Sequence, residues 1–66
     1  MNIELNGSPA QVPDGIVLNQ LIEDVAGATR GSAASVDGIV VPRSEWQTCV
    51  VRAGQSIELI TAVQGG

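Results

Sequence analysis

The chain has 66 residues, a net charge of −4 at pH 7, and no His, Lys, Phe or Tyr, so it can form one small domain with a single core. Its three cationic side chains, all Arg, cannot build a basic patch, which argues against binding to nucleic acid or to an anionic membrane surface. Without His or Lys, and with Cys49 as the single Cys, the chain lacks an ordinary general base, a Schiff-base amine and the ligands of a structural zinc site, so we do not expect an autonomous enzyme.

Targeting signals are not evident in the sequence. Residues 1–7 carry neither a basic region nor a long apolar run, which argues against a signal peptide. No apolar stretch approaches the roughly 18 residues that a membrane helix needs. We therefore expect a cytoplasmic protein, and its acidity favours partners that present a basic face.

The first segment has the pattern of a β-hairpin. Residues 1–5 alternate apolar and polar side chains, as a half-buried strand does. Asn6-Gly7 follows, and both residues tolerate the positive φ angles of a type I′ turn. A short second strand then carries Ala10 and Val12. Because Pro9 has no N–H, this strand is predicted at an edge of the sheet, or Pro9 at its start.

An amphipathic helix is predicted after the break at 13–15. Its apolar residues recur at helical spacing and are Leu18, Leu21, Ile22, Val25 and Ala26. Gly27 is well placed to end the helix in a left-handed conformation, whereas Ile16 and Val17 are poor N-caps. Residues 28–33 are small and polar and are predicted to form a loop.

Short elements are predicted through the second half. A third strand at 34–36 leads through the tight-turn pair Asp37-Gly38 into a strand at 39–41. Pro42 ends that strand, and 42–46 can form one helical turn with Pro at its first position. Residues 49–51 are a short apolar run.

The last predicted strand, 57–63, is central in the sheet because both of its faces are apolar. We expect one set of side chains to face the helix, namely Ile57, Leu59 and Val63. The other set, Ile60 and Ala62, then lies on the open sheet face. That face is a candidate docking surface, alternatively covered by a loop or a second copy.

This order of elements predicts an α+β fold with a mixed sheet of four to five strands packed on one helix. It matches the β-grasp (ubiquitin-like) architecture, in which the first and last strands lie side by side at the sheet centre. We expect residues 1–63 to form the domain and residues 64–66 to form a flexible Gly-Gly tail.

The terminal pair Gly65-Gly66 is the strongest functional signal. A carboxylate that reacts inside another protein must pass through a narrow channel, where residues without side chains fit best. Extended, the four residues 63–66 reach about 13–14 Å. A carboxylate becomes an acyl donor only after activation by ATP, and the chain has no P-loop. The activating enzyme is therefore expected to be a separate protein.

The sequence resembles the ThiS family of β-grasp sulfur carriers of thiamine biosynthesis over essentially its whole length. The segments that carry the resemblance are the opening Ile3-Glu4-Leu5-Asn6-Gly7, the helical pattern from Leu18 to Val25, the run Val40-Val41-Pro42-Arg43-Ser44-Glu45-Trp46, the turn Ala53-Gly54-Gln55 and the ending Val63-Gln64-Gly65-Gly66. Gln55 departs from the Asp that the family usually has after the turn Gly, which concerns the turn and not the function.

The resemblance implies a specific chemistry. An E1-like adenylyltransferase, using ATP and Mg, would adenylate the Gly66 carboxylate. A cysteine desulfurase or rhodanese-type persulfide would then convert Gly66 to a thiocarboxylate, and thiazole synthase would take the sulfur. In this scheme Gly65 gives clearance, and Val63 and Gln64 aim the tail. The chain itself would bind no cofactor and no metal.

Several assignments have alternatives. Candidate partner-interface residues are Gln64, Val63, Ala62, Ile60, Arg43 and Trp46. Trp46 fits a core position beside Pro42 better than a partner contact, and Arg43 fits a solvated turn charge better than a partner contact. Cys49 is interpreted as a small buried hydrophobe in preference to a persulfide carrier.

Three other functions are compatible with the sequence. A carrier for molybdopterin synthesis shares the fold and the Gly-Gly end, although such proteins are usually longer. A ubiquitin-like modifier is possible, but without Lys it could not build lysine-linked polymers of itself. A non-covalent interaction module would not need Gly65 and Gly66.

Overall fold

A computed structural model describes residues 1–27 and 30–61 of the chain. Its strands are β1 (Asn2–Leu5), β2 (Ser8–Gln11), β3 (Ser32–Val36), β4 (Ile39–Val41) and β5 (Ser56–Thr61). Helix α1 (Leu18–Ala26) lies between β2 and β3, and a 3-10 helix (Arg43–Glu45) follows β4. No helix in these two described ranges is long and apolar enough to cross a membrane.

The strands form one mixed sheet in the order β2-β1-β5-β3-β4. β1 and β5 are parallel neighbours, and the other pairs are antiparallel. The central position of β5 beside β1, predicted from its two apolar faces, is confirmed. β2 is an edge strand, as Pro9 requires, because an edge leaves one side of the strand free of ladder hydrogen bonds. The predicted α+β, β-grasp architecture is therefore the observed one.

Both predicted tight turns have positive φ at their two central residues, as in the type I′ turn predicted for Asn6-Gly7. Asn6 and Gly7 have φ of 51° and 82°, and Asp37 and Gly38 have φ of 51° and 84°. Two consecutive positive φ angles match the right-handed twist of the flanking strands. The hairpins β1–β2 and β3–β4 are thus fixed by local sequence.

Helix α1 is confirmed with one exception in its apolar stripe. Gly27 ends the helix with φ of 79° and donates its N–H to the Glu23 carbonyl. Val17 precedes the helix without a side-chain cap, as its sequence predicted. Val25 was expected in the core but is 49% exposed. Since Val25 lies in the middle of the stripe by angle, its exposure reflects its place in the last helical turn, near the end of the core.

The core lies between α1 and one face of the sheet. Its buried residues are Ile3, Ile16, Leu18, Leu21, Ile22, Ala34, Trp46, Val51, Ile57 and Leu59. Trp46 is only 1% exposed, and its indole N–H donates to the Val41 carbonyl at 2.8 Å. The core interpretation of Trp46 is confirmed. Its alternative role as a partner contact is wrong, because both the ring and its polar atom are already satisfied inside the domain.

Two boundaries differ from the sequence prediction. β3 begins at Ser32, within the segment expected to be a loop, because Ser32 and Ala33 pair with Thr61 and Ile60 of the long strand β5. Tertiary pairing here overrides weak strand propensity. The helical turn after β4 is a 3-10 helix that Pro42 precedes as N-cap with extended backbone, one position outside the predicted place.

Candidate functional site

The end of β5 is the described part of the predicted functional region. Ala62, Val63, Gln64, Gly65 and Gly66, which carry the predicted tail and most of the predicted interface, lie outside the described residues. The structure therefore defines the support from which that segment continues. This support is built by β5 and by the two turns that flank it.

The β1–β2 turn holds one side of β5. The main-chain N–H of Asn6 donates to the Ile57 carbonyl at 2.9 Å. The Asn6 side-chain oxygen Oδ1 in turn accepts the N–H of Leu59 at 2.8 Å. The Asn6 side chain therefore accepts the hydrogen bond that a main-chain carbonyl of β1 would accept if the strand continued. This bond holds β5 at Leu59, two residues beyond Ile57, the last β5 residue that pairs with β1.

The β3–β4 turn holds the start of β5 from the other side. The N–H of Asp37 donates to the Ser56 carbonyl at 2.7 Å, and the N–H of Ser56 donates to Asp37 Oδ1 at 2.8 Å. Sequence reasoning identified Asn6 and Asp37 as turn residues only. The sequence did contain a signal for this role. Both turns begin with a residue whose side chain can accept a hydrogen bond, although Gly would adopt the same backbone conformation equally well.

The open sheet face carries an apolar patch beside β5. Ile57 and Leu59 are buried, whereas Ile60 is 67% exposed, so the predicted orientation of these β5 side chains is confirmed. Ala33 of β3 pairs with Ile60 of β5. Val40 of β4 is 72% exposed. These three residues line a shallow depression together with Ser35 and Glu58. We call Ala33, Val40 and Ile60 the apolar patch.

Ala33 and Val40 were missed as members of this patch. Ala33 was assigned to a loop, and the outward face of the short strand β4 depends on its pairing with β3, where Val40 lies opposite Ser35. Only the register of the assembled sheet places the three side chains together.

Acidic and polar side chains occupy the neighbouring part of the open face. Glu4 of β1 lies opposite Ser56 of β5, and its Oε1 accepts the Ser56 hydroxyl at 3.1 Å. Glu58 is exposed at the border of the apolar patch. The face thus combines an apolar patch with carboxylates, a pattern that suits a partner surface with apolar groups flanked by cations.

Arg43 lies apart from the apolar patch. It is on the 3-10 helix and lines a polar cleft shared with Asn19 and Glu23 of α1. Since α1 packs on the core side of the sheet and Ile60 points to the open side, the structure does not bring Arg43 and Ile60 onto one surface. An interface that uses both would have to wrap around the domain.

The remaining candidate is Cys49, which is a free thiol of intermediate exposure packed against the core. This placement agrees with its interpretation as a small hydrophobe. Within residues 1–27 and 30–61, no group of three or more Cys, Asp or Glu side chains could hold a metal ion.

Comparisons with known proteins agree with this architecture. The crystal structure of thiamine biosynthesis protein ThiS from Geobacter metallireducens superposes with a TM-score of 0.83 at 23% identity, over 100% of both chains. An NMR solution structure of a thiamine biosynthesis protein from the same organism gives a TM-score of 0.82 at 21% identity, over 100% of this chain and 88% of the other. At these identities the likeness establishes the fold.

Sequence similarity extends over the whole chain. The sulfur carrier protein ThiS of Escherichia coli (strain K12) is 29% identical over 66 residues, covering 100% of both sequences. The model of the ThiS family matches residues 2–66, a range that includes Gly65 and Gly66. The chain therefore belongs to the ThiS family.

Proposed function

We propose that this protein is a sulfur carrier that supplies sulfur for formation of the thiazole ring in thiamine biosynthesis. The observation that carries the proposal is the match of the ThiS family model to residues 2–66. The name of the similar Escherichia coli protein, sulfur carrier protein ThiS, supports the same function. In this role the chain is a substrate and sulfur donor for partner enzymes, and it acts in the cytoplasm.

The first step activates the terminal carboxylate. A carboxylate oxygen of Gly66 attacks the α-phosphate of ATP, pyrophosphate leaves, and a Gly66 acyl-adenylate results. The ATP and its Mg ion belong to an E1-like adenylyltransferase, since this acidic chain has neither a P-loop nor a Lys to hold a triphosphate.

The second step exchanges oxygen for sulfur. The terminal sulfur of a persulfide, carried by a cysteine desulfurase or a rhodanese-type protein, attacks the acyl carbon, and AMP leaves. A thiol then attacks the cysteine sulfur of the resulting acyl disulfide and breaks the S–S bond, which leaves the Gly66 thiocarboxylate and a disulfide between that thiol and the donor cysteine. Thiazole synthase then receives this sulfur as a nucleophile, and the carrier returns to a carboxylate.

The described fold suits a rigid domain that presents a reactive C-terminal segment to partner enzymes. β5 is held on both sides by backbone pairing and by the acceptor side chains of Asn6 and Asp37. From Thr61, residues 62–66 could span at most about 17 Å if extended. We propose that Gly65 and Gly66 enter the partner's active site, with Val63 and Gln64 directing them.

We propose the apolar patch, extended by Ala62, as the docking surface for the activating enzyme and the synthase. Ile60 and Val40 are exposed large hydrophobic side chains, and Ile60 directly precedes Thr61, the last described residue. Their location lets one partner contact the sheet face and the terminal residues together. Arg43 would contribute only to a partner that reaches the α1 side.

The direct test is the intact mass of the protein after incubation with the activating enzyme, ATP and a persulfide donor. The proposal predicts a mass increase equal to the difference between one sulfur and one oxygen atom. A matched variant that ends at Gly65 should fold equally well and should show no such increase. An unchanged mass of the full-length chain with an active enzyme would refute the proposal.

A growth test separates the thiazole pathway from the molybdopterin alternative. A strain that lacks this protein should require thiamine or its thiazole moiety and should recover fully when either is supplied. Recovery that instead requires restored molybdopterin synthesis would assign the carrier to the other pathway.

A further inference from the structure

The sheet contains a gap on one side of β5, next to the point where the described chain ends. Alternate residues of a strand direct their main-chain groups to opposite sides. The odd-numbered residues of β5 face β1, because the Ile57 carbonyl accepts from Asn6 N–H and the Leu59 N–H donates to Asn6 Oδ1. Ser56 directs its groups to the opposite side, toward Asp37.

β1 ends before β5 does. The parallel pairing of β1 with β5 stops at Leu5 and Ile57, and the chain then reverses at Asn6-Gly7 into β2, which lies on the far side of β1. On its other side, β5 remains paired with β3 as far as Thr61. The last two residues of β5 therefore have a neighbouring strand on one side only.

Two main-chain groups face this gap. After the Leu59 N–H, which Asn6 satisfies, the next groups on the β1 side are the Leu59 carbonyl and the Thr61 N–H. β1 provides no strand partner for either group, because its pairing with β5 stops at Leu5 and Ile57. We call the Leu59 carbonyl and the Thr61 N–H the β5 notch. An acceptor and a donor in this order are what a further strand requires.

We propose that the β5 notch pairs with an extended main-chain segment of the activating enzyme. This segment would add a short strand beside β5, in the position beyond the end of β1. The proposal rests on the proposed function and specifies how that partner binds. Strand addition to an exposed sheet edge is a recurrent mode of recognition, in which the main chain gives affinity and neighbouring side-chain contacts give specificity.

The short distance from the β5 notch to the Gly66 carbonyl indicates that the activating enzyme is the partner that pairs with the notch. Gly66 is the fifth residue after Thr61, so an enzyme that holds Gly66 in its active site must have surface within about 17 Å of the notch. The exposed side chain of Ile60 lies between the two notch residues in sequence. A strand in the notch would thus contact β5 beside Ile60 of the apolar patch and at Thr61, five residues before Gly66, and would orient β5 toward the active site.

Removal of one donor tests the pairing. Thr61→Pro removes the N–H that faces the notch, and it leaves intact the N–H groups of β5 that pair with β3, since those belong to even-numbered residues. Thr61→Ala keeps the N–H and is the matched control. We expect Thr61→Pro to weaken binding to the activating enzyme about tenfold and Thr61→Ala to change it less than about twofold. Equal affinities for the two variants would overturn the proposal.

Amide hydrogen exchange of the wild-type protein tests the same contact without a mutation. The Thr61 amide should exchange freely in the isolated protein and should become protected at least about tenfold in the complex with the activating enzyme and ATP. Lack of protection in a complex that forms the adenylate would refute strand addition while leaving the proposed function intact. Failure of the wild-type protein to be adenylated would instead refute the proposed function.

A second copy of this chain is the competing occupant. Protection of Thr61 in the isolated protein that increases with protein concentration, together with a dimer in sedimentation, would assign the notch to self-association and overturn the proposal.

Discussion

Asn6 performs two separable tasks, and three substitutions at this position distinguish them. Its backbone has φ of 51°, which an L-residue without a short polar side chain adopts at a cost of about 1 kcal/mol. Its Oδ1 also accepts the Leu59 N–H at 2.8 Å. Asn6→Asp keeps both properties, Asn6→Gly keeps only the backbone conformation, and Asn6→Ala keeps neither.

The structure gives the order and size of the effects. Loss of the acceptor leaves the part-buried Leu59 N–H unpaired, which costs about 1–2 kcal/mol of unfolding free energy. Asn6→Ala adds the backbone term, for a total of about 2–3 kcal/mol. We expect Asn6→Asp to stay within about 0.5 kcal/mol of the wild type. For a domain of 66 residues, whose total stability is on the order of 3–10 kcal/mol, these differences are large.

Urea denaturation followed by circular dichroism measures them. With an m value of about 1 kcal/mol/M for a domain of this size, Asn6→Ala should lower the midpoint by about 2–3 M. The Leu59 amide should also exchange faster in Asn6→Gly than in Asn6→Asp. Equal midpoints for Asn6→Gly and Asn6→Asp would refute the claim that this side chain secures β5.

Three further substitutions test the core, the apolar patch and the helix end. Trp46→Phe should destabilise the domain by about 2 kcal/mol in urea melts followed by circular dichroism, because the Val41 carbonyl loses its indole donor and a cavity forms; an unchanged midpoint would contradict this account of the core. Ile60→Asp should leave the unfolding free energy within about 0.5 kcal/mol but weaken calorimetric binding to the activating enzyme at least about tenfold, and unchanged affinity would remove the apolar patch from the interface. Gly27→Ala should cost about 1 kcal/mol through its φ of 79° alone, since a Cβ there meets nothing within 4 Å; a much larger loss of stability would show that packing matters at this position.

The features that the sequence predicted well are those that local chemistry determines. Asn6-Gly7 and Asp37-Gly38 favour the type I′ backbone whatever surrounds them. The spacing of Leu18, Leu21 and Ile22 defines the buried side of α1, and the two apolar faces of β5 indicate its central place in the sheet. Because these local signals agree with each other, the amino-acid sequence alone is enough to indicate the fold class.

The features that the sequence did not predict depend on contacts between distant segments. The early start of β3 follows from its pairing with β5, and Ala33 itself has little strand propensity. The exposure of Val25 depends on where the core ends beneath α1. The bond from Leu59 to Asn6 joins residues 53 positions apart, so no local pattern could show it.

The candidate site divides in the same way. The role that we propose for Gly65-Gly66 can be inferred from the sequence, because the proposed chemistry depends on residue type and position alone. The apolar patch requires the register that places Ala33, Val40 and Ile60 on one face. The β5 notch requires knowledge of where β1 ends relative to β5. Residue type therefore predicted the chemistry, and only the assembled sheet defines the surfaces that would present it.

Delivery of sulfur from the terminal carbonyl of this protein to a thiazole ring, as we propose, can be followed with an isotope. The protein would be charged at Gly66 with isotopically labelled sulfur, separated from the donor, and incubated with thiazole synthase and its other substrates. We expect the label to enter the thiazole product as the carrier returns to its carboxylate mass. Label that stays on the carrier while unlabelled thiazole forms would contradict the proposal.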